Sequence, residues 1–485
     1  MTEAQLSSKS LPHSSARFPD PWPYAALALF FALSTLLRPL IATAETRYLS
    51  VAWEMVLRKN YFLMTLNFEP YYHKPPLFFW LIAGAWEIFG VHRSVATALL
   101  FLIASLAVFL TTRLATTMFP DSPGIEKRTP WMVVGSVAFL SYASLIYLDV
   151  LQAVLVLGFT LCVIAFARSG RHWRAAAAGL FLGLGILAKG PVMIVHVIWP
   201  VILYPLWKHP NGGLSLRSFY QGCGTIIAVS LVPVACWLGP LVAKADPDFL
   251  YNLLWRQTVE RVSGSLDGAH PQPVWFYLML LPIVILPWGI APDLLKTKPW
   301  RAMRQIASPQ SSDMRMLRLL VLWLAGVFVT LSVVSGKQPH YLIPAVPLLM
   351  IVFAYFLRDS RLTRIRNTAL AMIALFVAGQ AIAAATVFDR LNLVPLASFM
   401  KERENADWAY AGRYQGEFNY LARLRRPVSV IAQADAESWL CAHPEGYAII
   451  KSRTPLPSSE GIVFSQPANN GAYYVLSAAS ACPVQ

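Results

Sequence analysis

Long apolar runs alternate with short basic connections along most of the chain, and this alternation predicts its elements. A helix that crosses a bilayer needs about 20 predominantly apolar residues, so the distance between basic clusters counts crossings. From Glu126-Lys127-Arg128 to Arg168-Ser169-Gly170-Arg171 the chain is apolar except near Tyr147-Leu148-Asp149. That interval is too long for one span and right for a hairpin of two, with Asp149 at the turn. The interval from Arg174 to Lys208 reads the same way around Ala188-Lys189-Gly190-Pro191, and that from Arg318 to Arg358 around Ser335-Gly336-Lys337-Gln338-Pro339-His340-Tyr341. Between Arg217 and Lys296 there is room for two spans and a loop from Lys244 to Gln272 that carries Arg256, Arg261 and His270. Single spans near Tyr24 to Ala42, Ser94 to Thr112 and Ala369 to Val387 bring the expected total to about eleven.

Two segments break the pattern. Glu45 to Arg93 is too rich in charge and proline to cross twice, while its stretch Pro76 to Gly90, with Trp80 and Trp86, suits a helix lying in the interface. From Leu393 onward hydropathy falls, and Val428-Ser429-Val430-Ile431, Tyr447-Ala448-Ile449-Ile450 and Tyr473-Tyr474-Val475-Leu476 read as short strands between turn residues. The expected fold is a polytopic α-helical membrane protein. A transmembrane domain covers residues 1–392, with a first outer loop at about 43–93, and a small C-terminal α/β or β-rich domain covers 393–485.

Composition agrees and decides what the charge means. The 485 residues are 56% hydrophobic and 13% charged, outside the range of soluble domains. Forty Lys and Arg against 25 Asp and Glu give a net charge of +15, which in a soluble chain would suggest a nucleic-acid partner. Here about half of the basic residues fall in the N-terminal tail and in the connections 113–128, 168–174, 208–217, 296–318 and 358–366. The positive-inside rule makes those connections cytoplasmic, with the N-terminus inside and the C-terminal domain outside, and no nucleic acid is expected. The apolar run after Pro21 lacks a small-residue cleavage site, so it reads as an uncleaved first span. Cys162, Cys223 and Cys236 lie in apolar runs; Cys441 and Cys482 lie in the polar C-terminal part and either pair in an oxidising compartment or remain unrelated thiols.

The hairpin turns deliver polar residues to one face: Glu45, Arg47 and Lys74, then Asp149, Lys189, Arg256, Arg261, His270, Lys337 and His340. Charges at that depth are costly and are usually partnered or functional. Lys189 alone could end a helix and snorkel, and His340 alone could be a core histidine. As a set, cations with a few carboxylates fit an anionic substrate whose leaving group is stabilised while an acceptor is deprotonated or positioned. The sequence has no metal-ligand spacing and no phosphate-cradling Gly-rich loop, so no metal or cofactor is expected and a nucleotide-sugar donor is disfavoured. A transporter or flippase for a lipid-linked anionic glycan is the alternative, but such folds favour midplane sites and internal repeats.

The run Glu45-Thr46-Arg47-Tyr48-Leu49-Ser50-Val51-Ala52-Trp53-Glu54-Met55, followed by Pro70-Tyr71-Tyr72-His73-Lys74-Pro75-Pro76-Leu77 and Phe89-Gly90, resembles the first outer loop of a known family. That family is the C-type glycosyltransferases related to protein O-mannosyltransferases, above all the bacterial group containing lipid A aminoarabinose (4-amino-4-deoxy-L-arabinose) transferase. Leu187-Ala188-Lys189-Gly190-Pro191, Trp255-Arg256-Gln257 through His270 and Trp275, and Lys337-Gln338-Pro339-His340-Tyr341-Leu342 follow in the family's order. The resemblance implies transfer of a sugar from a polyprenyl (undecaprenyl) phosphate carrier to lipid A or a related envelope glycan, at the periplasmic face of the bacterial inner membrane. It implies that Arg47, Lys74, Arg261 and Tyr341 contact the carrier phosphate, and that Asp149 matches the family's second outer-loop acid. Tyr48, Tyr72, Lys189, Arg256, His270, Lys337 and His340 complete the expected substrate-binding set. The family's motif opens with an Asp-Glu pair, and here the Asp position is Ala44. Glu45 or Asp149 must then be the catalytic carboxylate, unless an acceptor already ionised, such as a lipid phosphate, needs no strong base.

Overall fold

The computed structural model describes residues 20–209, 212–243, 246–253, 255–256, 270–296, 306–307, 309, 311–456 and 461–478. Its membrane part opens with α1 (Trp22–Leu37), α2 (Glu45–Arg58), α3 (Leu77–Phe89), α4 (Arg93–Met118), α5 (Ile125–Val134), α6 (Val137–Ala143), α7 (Asp149–Ser169), α8 (His172–Lys189) and α9 (Val192–Ile202). It continues with α10 (Tyr204–Trp207), α11 (Leu216–Val242), α12 (Pro247–Tyr251), α13 (Phe276–Val284), α14 (Pro292–Lys296), α15 (Ser312–Val333), a 3-10 turn (Pro339–Ala345), α16 (Val346–Phe356) and α17 (Leu362–Thr386). Every interval that the apolar pattern marks as a span contains a helix. Six among the described residues are long and apolar enough to cross a membrane: α4, α7, α11, α15, the Pro339–Phe356 segment and α17. Others are shorter, such as α1 with 16 residues and α9 with 11.

Within lipid, helices gain little hydrophobic drive to associate, and small residues set how closely they pack. A β-carbon on Gly179 or Gly183 of α8 would come within 2.5 Å of the Ile226 carbonyl or 2.4 Å of the Ser230 carbonyl of α11. Those glycines let the two helices touch backbone to backbone. The apolar stretch of α7 is 83% buried, against 11% for α17, so α7 is central and α17 faces the surroundings. At the turns expected around Asp149 and Lys189 the structure has helix ends. Asp149 opens α7, and Lys189 closes α8 before Gly190, whose φ of 85° is open to glycine at little cost.

The connection from α1 to α4 holds α2, a short hairpin of β1 (Thr65–Leu66) with β2 (Glu69–Pro70), and α3. Beyond α17 come α18 (Val394–Lys401), β3 (Trp408–Ala411), β4 (Ser429–Ile431), α19 (Ala436–Ala442), β5 (Tyr447–Ser452), β6 (Ile462–Ala468) and β7 (Gly471–Ser477). Their sheet has the order β4-β3-β5-β7-β6, parallel from β4 to β5 and antiparallel across β7. A second hydrophobic core, with Leu396, Met400, Trp408, Phe418, Ile449 and Val475, lies beneath it. Three of these strands follow the sequence pattern. β3 is buried along its whole length and shows no alternation, and β6 contains Pro467, which is tolerated because β6 is an edge strand. Cys162, Cys223 and Cys236 are free thiols, Cys441 is disulfide-bonded, and Cys482 lies outside the described residues.

This C-terminal sheet domain docks on the α1–α4 connection through polar contacts at its rim. Ser50 Oγ donates to the Gly416 carbonyl at 2.7 Å and accepts from the Tyr420 amide at 3.0 Å. Asn67 exchanges two 2.8 Å hydrogen bonds with the Val428 backbone, and Trp86 stacks on Tyr420 with 5.1 Å between ring centroids. Glu54, fully buried, accepts from Thr65 Oγ1 at 2.6 Å, the Phe68 amide at 2.9 Å and Asn419 Nδ2 at 3.1 Å.

Candidate active site

At the end of the bundle that carries the sheet domain, α7 and α8 bring opposite charges together. Lys189 donates to Asp149 Oδ1, and both side chains are buried. Each sits where its helix favours it, the carboxylate in the first turn of α7 and the ammonium in the last turn of α8. Two ions taken out of water cost several kcal/mol each, so such a pair persists only with good geometry and further partners. The Lys189 ammonium finds one in the Tyr341 ring, whose centroid is 4.6 Å away. Asp149 Oδ2 is buried and has no hydrogen-bond partner among the described residues. A buried acceptor left open in this way is expensive to keep unless a ligand or a water completes it.

His340 and Tyr341 reach the pair from the turn before α16. The His340 ring packs against Tyr147 at 5.5 Å, Tyr142 at 6.1 Å and Tyr341 at 4.9 Å. Asp149, Lys189, Lys74 and His270 all lie within electrostatic reach of it. Tyr147 in turn packs against Tyr48 at 5.9 Å and lies within reach of Glu45, Asp149 and Arg47. Residues from six separate stretches of the chain thus converge on one aromatic and charged cluster.

Glu45 is the first residue of α2 and is fully buried, and both of its oxygens are engaged. Arg38 grips it with two nitrogens, one to each oxygen, while the Ile41 amide donates to Oε2 and the Ile146 amide to Oε1, each at 2.8 Å. Arg38 also donates to the Ser144 carbonyl at 3.1 Å. The bridge therefore ties the end of α1, the start of α2 and the turn before α7 into one unit. Ala44, where the related motif has Asp, is the N-cap of α2 and supplies no side-chain capping bond.

The remaining sequence candidates lie around this cluster. Arg47 donates to Gln415 of the sheet domain at 2.9 Å and lies beside the Tyr48 ring. Tyr48 is buried between Phe78, Phe79 and Tyr147. Tyr72 packs on His73 and on Phe249 of α12, and Lys74 beside it is partly buried. Arg256 donates to Asn252 at 3.0 Å. His270 is exposed, and its carbonyl accepts the Lys337 amide at 3.2 Å. The Lys337 ammonium, 2% exposed, donates to the Gln272 carbonyl at 2.7 Å, so it fastens two loops to each other. Arg261 lies outside the described residues. Sequence reasoning missed Arg38, Tyr142, Tyr147 and Gln415. A basic residue closing an apolar run seven positions before Glu45 was a signal for Arg38; nothing local marks Gln415.

Comparisons with known proteins bear on the fold that carries this cluster. The family model described as dolichyl-phosphate-mannose-protein mannosyltransferase matches residues 73–237. An undecaprenyl phosphate-alpha-4-amino-4-deoxy-L-arabinose arabinosyl transferase of Pseudomonas fluorescens is 27% identical over 364 residues, 72% of this chain and 61% of the relative. One from Proteus mirabilis is 27% identical over 388 residues, 76% and 66% of the two chains. The chain thus spans less than two thirds of the length of these relatives. The crystal structure of ArnT from Cupriavidus metallidurans bound to undecaprenyl phosphate superposes with a TM-score of 0.73 at 17% identity, covering 96% of this chain and 99% of that one. The polytopic membrane fold with its C-terminal sheet domain is therefore that of ArnT. In sequence the chain is similar, over part of its length, to membrane glycosyltransferases of the ArnT and protein O-mannosyltransferase type.

Proposed function

We propose that the protein transfers a sugar from an undecaprenyl phosphate carrier to an acceptor at the membrane face that carries the sheet domain, with lipid A or a related envelope glycan as acceptor. The observation that carries this reading is the open Oδ2 of Asp149 amid Lys189, His340 and Tyr341, with Arg47 and Lys74 around the same cluster. In the reaction the bond between the sugar's anomeric carbon and the carrier phosphate breaks, and the phosphate leaves with the electron pair. A bond forms from the anomeric carbon to the acceptor oxygen, and any proton on that oxygen passes to Asp149. Lys74, Arg47, Lys189 and Tyr341 stabilise the charge that grows on the phosphate, and Arg256, Arg261, His270, Lys337, His340, Tyr48 and Tyr72 shape the pocket for carrier and sugar. Glu45, whose oxygens are filled by four donors, acts as a positioning residue.

In this reading the chain crosses the bacterial inner membrane about eleven times. Its N-terminus is cytoplasmic, residues 1–392 form the transferase domain, and residues 393–485 are periplasmic. Purified protein supplied with undecaprenyl phosphate-linked aminoarabinose and lipid A is expected to release undecaprenyl phosphate and add one sugar to the acceptor, followed by mass spectrometry. Lys74→Ala is expected to remove that transfer while the protein keeps its melting temperature; full transfer by the variant would refute the phosphate-binding role.

A further inference from the structure

Away from the Asp149 cluster, a cavity of about 510 Å3 opens between the end of α1, the start of α4, the end of α17 and the sheet domain. Three guanidinium groups line it, those of Arg38, Arg93 and Arg423. Glu45 neutralises Arg38 from behind. Arg93 and Arg423 each use one nitrogen on a backbone carbonyl, of Arg38 and of Val91 respectively, both at 2.7 Å. Neither has a carboxylate partner among the described residues, and Arg423 Nη1 is buried with no hydrogen-bond partner. Among the described lining residues the one carboxylate is that of the exposed Asp389, so those residues give the cavity a net positive charge.

Its position favours a lipid over a soluble anion. Leu36, 82% exposed, and Phe388 form an apolar flank where α1 and the sparsely buried α17 run side by side. Arg38 and Arg93 lie at the ends of α1 and α4, where a membrane helix meets the headgroup layer, and Arg423 reaches the same cleft from the sheet domain. Arg93 opens the 26-residue α4, so the positive end of that helix adds to the field. The Arg423 plane is held by stacking on Tyr420, 4.2 Å from the ring centroid, which leaves its fork oriented in advance.

We propose that this cleft is a binding site for the phosphate-bearing headgroup of a membrane lipid, gripped by Arg93 and Arg423 with an acyl chain along Leu36 and Phe388. A planar guanidinium matches phosphate oxygens two at a time, and two of them without counter-ions make a site that an anionic headgroup completes. The site is separate from the Asp149 cluster and shares with it one wall, the Arg38–Glu45 bridge. It does not depend on the proposed reaction, because binding is read without sugar transfer.

The test uses the full chain in detergent with dioctanoyl phosphatidic acid, dioctanoyl phosphatidylcholine and inorganic phosphate as probes. Saturable thermal stabilisation by phosphatidic acid is expected, with roughly tenfold weaker apparent affinity in Arg93→Gln/Arg423→Gln and partial retention in Arg93→Lys. Should Arg423→Gln fail to fold, Arg93→Gln alone carries the comparison, since its side chain is partly exposed. Equal stabilisation of the variants overturns the site. Equal stabilisation by phosphatidylcholine reduces it to acyl-chain adsorption, and equal stabilisation by inorganic phosphate makes it a small-anion site; either result overturns the lipid assignment.

Discussion

Two carboxylates lie near each other at the start of two helices, both fully buried and both paired to a cation, yet they are built differently. Glu45 has donors on both oxygens, from Arg38 and from two backbone amides. Asp149 gives one oxygen to Lys189 and leaves the other open. A saturated buried carboxylate is a fastener, because taking up a proton or a ligand there means losing hydrogen bonds that nothing replaces. An oxygen left without a donor among the described residues can still accept a hydrogen bond from a bound group.

Substitutions sharpen this contrast. Asp149→Asn is expected to cut transfer by about 10² to 10⁴-fold, measured by single-turnover release of undecaprenyl phosphate. It also leaves Lys189 buried without its counter-ion, so melting falls as well. Neutralising both members, Asp149→Asn with Lys189→Gln, is expected to recover the melting temperature while transfer stays lost; recovered transfer would make the pair structural. Glu45→Gln is expected to cost about 3 kcal/mol of stability, because it strands the Arg38 guanidinium in the interior. Transfer per folded molecule should stay within a few-fold of normal, read by titrating active protein after chemical denaturation.

Smaller effects follow at the edges of the same unit. Ala44→Asp places a carboxylate at the positive end of α2 and is expected to add about 0.5 kcal/mol, seen as a slightly raised melting temperature. If it also raises the rate, the lost Asp served the chemistry as well as the helix. Glu54 sits in the seam between the α1–α4 connection and the sheet domain, and burial raises its pKa above the ordinary 4.5 despite the hydrogen bonds from Thr65 and the Phe68 amide. A raised folded-state pKa means that Glu54 contributes most stability below the ordinary value and loses it as pH rises through the raised one. Melting of Glu54→Gln should therefore depend less on pH above 4.5 than that of the natural chain, by the smallest margin of these variants.

Much of the architecture was legible because a bilayer imposes its demands on each segment separately. A crossing must satisfy its backbone within itself and keep its side chains apolar, so the interruptions at Asp149, Lys189 and His340 stood out as the ends of runs. The antiparallel neighbours β5 and β7 were readable from their β-branched and aromatic content. β3 and β6 were not, since one is wholly buried and the other carries Pro467 at an edge, and only their neighbours in the sheet make them strands. The sequence marked Lys337 as a candidate ligand by its neighbourhood, while in the structure its ammonium binds the Gln272 carbonyl.

The sequence by itself determined which residues would end up at one side of the bundle, because hydropathy and charge act locally along the chain. Only the tertiary structure decided their partners. Asp149 meets Lys189 across forty residues, Arg47 meets Gln415 across more than three hundred, and Arg38 closes on Glu45 while facing Arg93 and Arg423 from the other side. Which helix ends meet depends on how closely the whole bundle packs, and that packing settles which of two similar carboxylates is filled and which is left open.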